Sequence, residues 1–300
     1  MGGDLRPVGC EVRVRVPATS ANLGPGYDSL GLALDLVDDL SVRREEPGTG
    51  LRIEVSGEGA GVVPLDENHL VIRALRAGLA SVGVEVTDLT LVCRNRIPHG
   101  RGLGSSSAAI VGGLTLARAL LREGERRLDE QHLLTLATDI EGHPDNVAPA
   151  LMGGFTIAWM EGETGRAIRC EPHPELAAVA FVPATSLSTE LARGLLPDQV
   201  PRDDVAFNVA RTGLLVHAII HDPGLLFAAT GDRLHQDYRR EAYPASWELM
   251  HSLRSGGQAA VISGAGPTVL VLAQGSDKLP TISPAGFTRQ VLAVRPLGAH

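Results

Sequence analysis

Between Ile97 and Gly113 the chain reads IPHGRGLGSSSAAIVGG, opening with a proline and three glycines and running on into small residues that suit a helix. A loop that rich in glycine loses much conformational entropy on folding, so it belongs where the backbone must turn tightly or approach something closely. A loop that enters a helix also presents N–H groups with no intrahelical partner and the positive end of the helix dipole. Serines in the first turn can cap the helix, or reach a phosphate or Mg²⁺. GRGLGSSS therefore has the parts of a phosphate cradle, with a capped helix start as the plainer reading. It matches neither the P-loop, whose lysine is missing, nor the glycine pattern that opens a Rossmann unit.

The elements around it are mixed. CEVRVRVPA alternates valine with charged residues, as a half-buried strand does, and LRIEVSG (51–57) and LTLVCRNRIP (89–98) read the same way. ENHLVIRALRAGLASVG predicts a helix that stops at Gly83, and residues 105–122 predict another. DEQHLLTLATDIEG predicts a third, entered through Asp129 and ended at Gly142, with GGFTIAWM a strand after it. Further on, an apolar strand is expected at 177–183, helices around 203–221 and 224–235, and two strands near 258–273. Without regular βαβ alternation the class is α+β. A division near residue 165 gives an N-terminal nucleotide-binding unit, 1–165, and a C-terminal unit, 166–300.

Composition narrows the function. Of 300 residues 44% are hydrophobic, enough for a sizeable core, and the formal charge of −8 argues against a general nucleic-acid or anionic-membrane binder. Three scattered cysteines, Cys10, Cys93 and Cys170, form neither a disulfide framework nor a zinc spacing. With no apolar signal segment near the N-terminus and no run long enough to span a bilayer, a soluble cytoplasmic protein is expected. HAIIH (217–221) lacks the glutamate of a zinc helix and reads as a structural pair. There is no G-x-S-x-G elbow for a serine hydrolase.

Two more small-residue stretches stand beside the first: VPATSANLGPGYDSLGLALD (16–35), read as a loop, and VISGAGPTVLVL (261–272), read as a turn between strands. PHGRGLGSSSAA resembles the phosphate loop of the kinases of galactose, homoserine, mevalonate and phosphomevalonate, the GHMP kinases. PATSANLGPGYDSLG is similar to their first motif in the form that homoserine kinases use. EGHPDNVAPALMGGF (141–155) and ISGAGPT resemble the third and fourth landmarks, all in matching order between residues 12 and 272.

The resemblance implies a two-domain GHMP kinase fold, with an N-terminal half like domain 2 of ribosomal protein S5 and a ferredoxin-like C-terminal half. It implies transfer of the γ-phosphoryl of ATP, with Mg²⁺, to the side-chain hydroxyl of L-homoserine, giving O-phospho-L-homoserine for threonine synthesis. The partners are then small molecules, and the family implies a homodimer. Nucleotide contacts are implied for Pro98, Gly100, Arg101, Gly102, Leu103, Gly104, Ser105, Ser106 and Ser107, with Asn68 in DENHLV near the nucleotide. Ser106 is the implied metal hydroxyl, with Asp139 or Glu141 as its carboxylate. Asn22, Asp28, His143, Thr189, Arg193, Arg239 and Gly264 are implied substrate contacts. Asp28 suits an α-ammonium, and the arginines of STELARGLLP and LHQDYRREAYP suit an α-carboxylate. His143, Asn146 and Ser106 form the implied catalytic set, with no residue named as general base. Two other readings stay open: a sibling kinase acting on another small alcohol, and a non-catalytic relative that binds a ligand or partner. Mevalonate-type kinases open their first motif with PGK; here PATSAN stands instead, and Lys278 is the only lysine.

Overall fold

The computed structural model describes residues 4–300, the side chain of Thr189 excepted. Strand β1 (Glu11–Asn22) turns Val12, Val14 and Val16 inward and Glu11, Arg13 and Arg15 outward, as their alternation predicts. From Val16 onward β1 is buried on both faces, and only Leu23–Pro25 separates it from β2 (Gly26–Arg44). The stretch 16–35 is therefore a strand hairpin and not an open loop, because small residues such as Ala18, Ser20 and Gly31 let it pack on both sides.

The chain continues through β3 (Leu51–Gly57), α1 (Leu70–Ala80), β4 (Leu89–Asn95), α2 (Ser105–Leu120), α3 (Gly124–Arg127), α4 (Glu130–Glu141), α5 (Pro144–Met152), β5 (Phe155–Glu161) and β6 (Thr164–Cys170). These strands form one sheet in the order β3-β4-β2-β5-β6, with β1 also paired to β2. Along one edge of β2, β4 pairs with Asp39–Arg44 and β5 with Leu30–Leu32. The gap between them is filled by a returning segment: Asp35 N–H donates to Ala293 O at 2.9 Å, and Arg295 N–H to Ala33 O at 3.0 Å. That segment also ties Gly154 N–H to Arg295 O and Arg15 N–H to His300 O.

Helices α1, α2, α4 and α5 bury their apolar residues with this sheet in one core. Helix α4 begins where the Asp129 side chain accepts the His132 N–H and ends at Gly142, φ +92°. GHPDN, which follows α4, is the entry of α5. His143 is its N-cap and Pro144 its first residue, a position where a missing N–H costs nothing.

The second sheet holds β7 (Leu176–Pro183), β8 (Ala259–Ile262), β9 (Val269–Gln274) and β10 (Phe287–Leu292), with α6 (Thr189–Gly194), α7 (Arg202–Ile220), α8 (Leu226–Ala229) and α9 (Pro244–Ser255) between β7 and β8. Its order, β10-β7-β9-β8, is the fourth-first-third-second arrangement of a ferredoxin-like sheet, antiparallel throughout. Ala178, Ala180 and Val182 of β7 join the main core with Leu215, Ala218 and Ile219 of α7. Val179 and Phe181 face the other way, onto Met250 and Leu253 of α9. No helix of the described residues is long and apolar enough to cross a membrane.

Two expectations need correction. A boundary at 165 falls inside β6, which pairs with β5 along its whole length, so the chain changes sheet between Cys170 and Leu176. The helix expected over 224–235 stops at Ala229. Beyond it, the buried Asp232 carboxylate accepts the N–H groups of Leu234, His235 and Gln236, and this turn competes with continued helix.

Candidate active site

A cleft of about 260 Å³ lies where the start of α2 meets the β1–β2 hairpin, the entry of α5, and the turn between β8 and β9. Its floor is the glycine loop. Gly104 caps α2 in the left-handed region (φ +70°), and a Cβ there would overlap the Thr19 hydroxyl. Gly102 (φ +74°) is equally confined, against the carbonyl of Ser263. The buried Ser263 hydroxyl donates to Gly102 O at 2.5 Å and lies 2.8 Å from Ser20 Oγ, tying loop, hairpin and second sheet together. Thr19 N–H donates to Leu103 O at 3.1 Å, which fixes the loop against β1.

The loop residues divide into groups that face the cleft and groups that hold it. Gly100, Arg101, Gly102, Gly104, Ser105, Ser106 and Ser107 line it. Pro98 and Leu103 are buried and line neither this cleft nor its neighbour, so they support the cradle without touching its space. The Arg101 guanidinium is committed to the carbonyls of Pro183, His99 and Ala184, and staples the loop to the end of β7.

The two candidate acids separate cleanly. The Glu141 carboxylate receives Ser106 Oγ at 2.8 Å and Ser107 Oγ at 2.7 Å. Asp139 is exposed and does not line the cleft, because residues two apart on a helix lie on nearly opposite faces. A hydroxyl and a carboxylate at a helix N-terminus, both hard oxygen donors, suit Mg²⁺.

At the opposite wall Arg193 of α6 grips Asp28 with two bonds, 2.7 and 3.0 Å, and reaches the Tyr27 hydroxyl at 3.2 Å. Burial lowers the Arg193 pKa, but the Asp28 carboxylate outweighs it and the net direction is up. Asp28 sits in the left-handed region (φ +52°), and its N–H is held by Asn22 Oδ1 at 2.9 Å. The other end of the Asn22 amide donates to Gly264 O at 3.0 Å, so Asn22 positions Asp28 and the Gly264 turn. Arg239 is only 2% exposed, donates from Nε to Ala192 O, and lies 5.4 Å over the Tyr27 ring. Among the described residues it has no carboxylate partner, although it lines the cleft. Thr189 opens α6, and its side chain lies outside the described residues.

At the entry of α5, His143 Nδ1 lies 2.5 Å from the buried Asp145 carboxylate. Burial alone would lower the His143 pKa; the Asp145 bond and charge prevail and raise it. Asn146 Oδ1 accepts the Thr19 hydroxyl at 2.8 Å, which leaves its NH₂ as the free end of the amide. Thr19, Tyr27 and Asp145 are the groups that sequence reasoning did not assign. All three stand inside the quoted motifs, but only folding shows what they touch.

A second cavity of about 270 Å³ shares Ser105 and Ser106 with the cleft and reaches Asn68, His69, His99 and Asp38 beneath an apolar lining. Asn68 is thus beside the cradle but outside the cleft itself.

The family models of the GHMP kinases match this chain twice, the N-terminal domain over residues 69–154 and the C-terminal over 215–284. The chain belongs to the GHMP kinase family. Among curated proteins it is 53% identical to a homoserine kinase of Streptomyces avermitilis, over 96% of this chain and 94% of that one. It is 54% identical to a homoserine kinase of Clavibacter michiganensis, over 90% and 84%. The crystal structure of a homoserine kinase from Cytophaga hutchinsonii superposes with a TM-score of 0.86 at 25% identity, covering 98% of each chain.

Proposed function

We propose that this cleft transfers the γ-phosphoryl of ATP to the side-chain hydroxyl of L-homoserine, giving O-phospho-L-homoserine for threonine synthesis. The observation that carries the reading is a helix N-terminal cradle facing a buried arginine that no carboxylate of the described residues pairs with, within one cleft. Relatives at 53% identity over nearly the full length support it.

The triphosphate lies against the backbone N–H groups of the glycine loop and the start of α2, which replace the absent P-loop lysine. Ser106 and Glu141 would hold Mg²⁺, which supplies charge neutralisation on the phosphates. Arg239 takes the amino-acid carboxylate. Asp28 accepts the α-ammonium while paired to Arg193, since a carboxylate has about four acceptor sites and Arg193 uses two. Asn146 and His143, with its raised pKa, donate toward charge developing on the transferred group. Each carboxylate lining the cleft is engaged: Asp28 by Arg193, Glu141 by two serines, Asp145 by His143. That supports a reaction run by positioning and electrostatics, without a protein carboxylate as base. ATP and L-homoserine as substrates support a cytoplasmic enzyme.

A coupled ADP-release assay over L-homoserine, mevalonate, shikimate and galactose tests the reading. Homoserine is expected to give the dominant turnover. Strong use of another alcohol with none on homoserine overturns it.

A further inference from the structure

Tyr27 is half-buried and lines the cleft together with Arg193 and Arg239. The Arg193 guanidinium lies 5.9 Å and the Arg239 guanidinium 5.4 Å from the centre of its ring, within cation–π range. The buried His235 ring packs against the Tyr27 ring at 5.3 Å, and His235 Nε2 lies 2.7 Å from Gly24 O, which anchors the turn that carries the tyrosine. The ring is held from several sides, so its hydroxyl has a defined place. That hydroxyl accepts from Arg193 Nη1 at 3.2 Å. A guanidinium only donates, so the phenol is the acceptor of this bond, and its own proton goes to no group of the described residues. Burial, with the Asp28 charge, raises the Tyr27 pKa against the pull of both arginines and keeps that proton in place.

We propose that Tyr27 is a specificity-determining residue: its O–H donates to the α-carboxylate that Arg239 takes, so a phenol and a guanidinium read that group together. The inference rests on the phosphoryl-transfer reading and adds a contact to it. Arg239 spends only Nε on the described residues, in its bond to Ala192 O. Its remaining N–H groups and the Tyr27 proton are therefore donors without a protein acceptor, on two side chains that line one cleft. A group seated against them has to accept several hydrogen bonds and carry negative charge. A carboxylate does both, with about four acceptor sites. An ammonium has no acceptor, and a carboxamide sets its own NH₂ against donors. Asp28 beside them only accepts, so this wall sorts the two ends of a zwitterion and fixes which way round it lies.

The test is Tyr27→Phe, which keeps the ring between His235 and the two guanidinium groups and removes only the hydroxyl. Its KM for L-homoserine should rise about tenfold, as when a charged group loses a hydrogen bond, with the loss carried by KM and not by kcat. The KM for ATP should stay within about twofold of wild type. The Ki of L-2-aminobutyrate, which keeps the carboxylate and lacks the reacting hydroxyl, should rise by the same factor as the KM for homoserine. With 3-aminopropan-1-ol, which has the amine and the hydroxyl without the carboxylate, wild type and variant should differ less than about twofold in kcat/KM. A merely structural role for the hydroxyl would penalise both compounds alike. A folded Tyr27→Phe protein with the wild-type KM for homoserine overturns the proposal, and so does an equal penalty on 3-aminopropan-1-ol. Either result leaves homoserine turnover by the wild-type protein intact, whereas absence of that turnover sinks the phosphoryl-transfer reading and this inference with it.

Discussion

Arg193 and Asp28, 165 positions apart, meet in a two-bond ion pair across the cleft, with 37% and 34% of their side chains exposed. A pair that open is poor as a structural clamp but well placed to accept a zwitterion. Arg193→Ala and Asp28→Asn should each raise the KM for homoserine about tenfold or more, as loss of a charge-assisted contact does. The double variant should cost less than the two singles together, because each removes the other's partner. Steady-state kinetics decide it: if the KM for ATP rises as much as that for homoserine, the pair does not serve the amino acid.

Arg239 carries the opposite expectation for stability. A buried cation without a carboxylate is a cost to the fold, so Arg239→Met should leave thermal stability unchanged or raise it by about 1–4 kcal/mol. Homoserine turnover should meanwhile fall at least a hundredfold, in line with about 3 kcal/mol of lost binding. Thermal unfolding and kinetics on the same preparation check both halves. An unfolded variant, or a stable one with normal turnover, rejects the carboxylate seat.

The serine–glutamate contacts predict an asymmetry between neighbours on α4. Glu141→Gln should lower kcat about tenfold to a thousandfold and shift the Mg²⁺ titration to higher concentration, while Asp139→Asn stays within about twofold of wild type. Titrating Mg²⁺ at saturating ATP distinguishes them. A normal Mg²⁺ requirement in Glu141→Gln would remove Glu141 from the metal site.

Asp38 ties stability to pH. Burial raises its pKa from 3.8 to about 6, against two backbone N–H bonds that pull it down. The folded protein thus holds this proton more tightly than the unfolded chain. Its contribution is full below about pH 4 and is lost as pH rises to about 6, on the order of 3 kcal/mol at one pKa unit per 1.36 kcal/mol. Asp38→Asn lacks that loss, so its Tm relative to wild type should climb across this window and level off above it. A constant Tm difference from pH 4 to 7 contradicts the assignment.

The cradle was legible because its chemistry is local: glycines with φ near +70° and serines at the first helical turn stand next to one another in the chain. Helix α4 was legible for the same reason, with Asp129 and Gly142 marking its ends. The helix that starts at GHPDN was not read from the sequence although Pro144 is a proper helix-start signal, since a histidine N-cap carries no side-chain bond to announce it. Asn22 looked like a substrate contact by its motif, yet both ends of its amide are used to fix Asp28 and Gly264. The choice between Asp139 and Glu141 required only helical geometry once α4 was known to end beside α2. Pairings such as Thr19 with Asn146 come from tertiary packing alone, and nothing near either residue points to the other.

The segment 293–300 closes the gap in the first sheet, between β4 and β5. A ribosome therefore releases all the strands of that sheet, then the entire second sheet, before it makes the piece that seals the first. During that interval the open backbone groups at Ala33 and Asp35 stand exposed to any passing strand. The first sheet therefore has to wait for residues 293–300 before it becomes a finished surface.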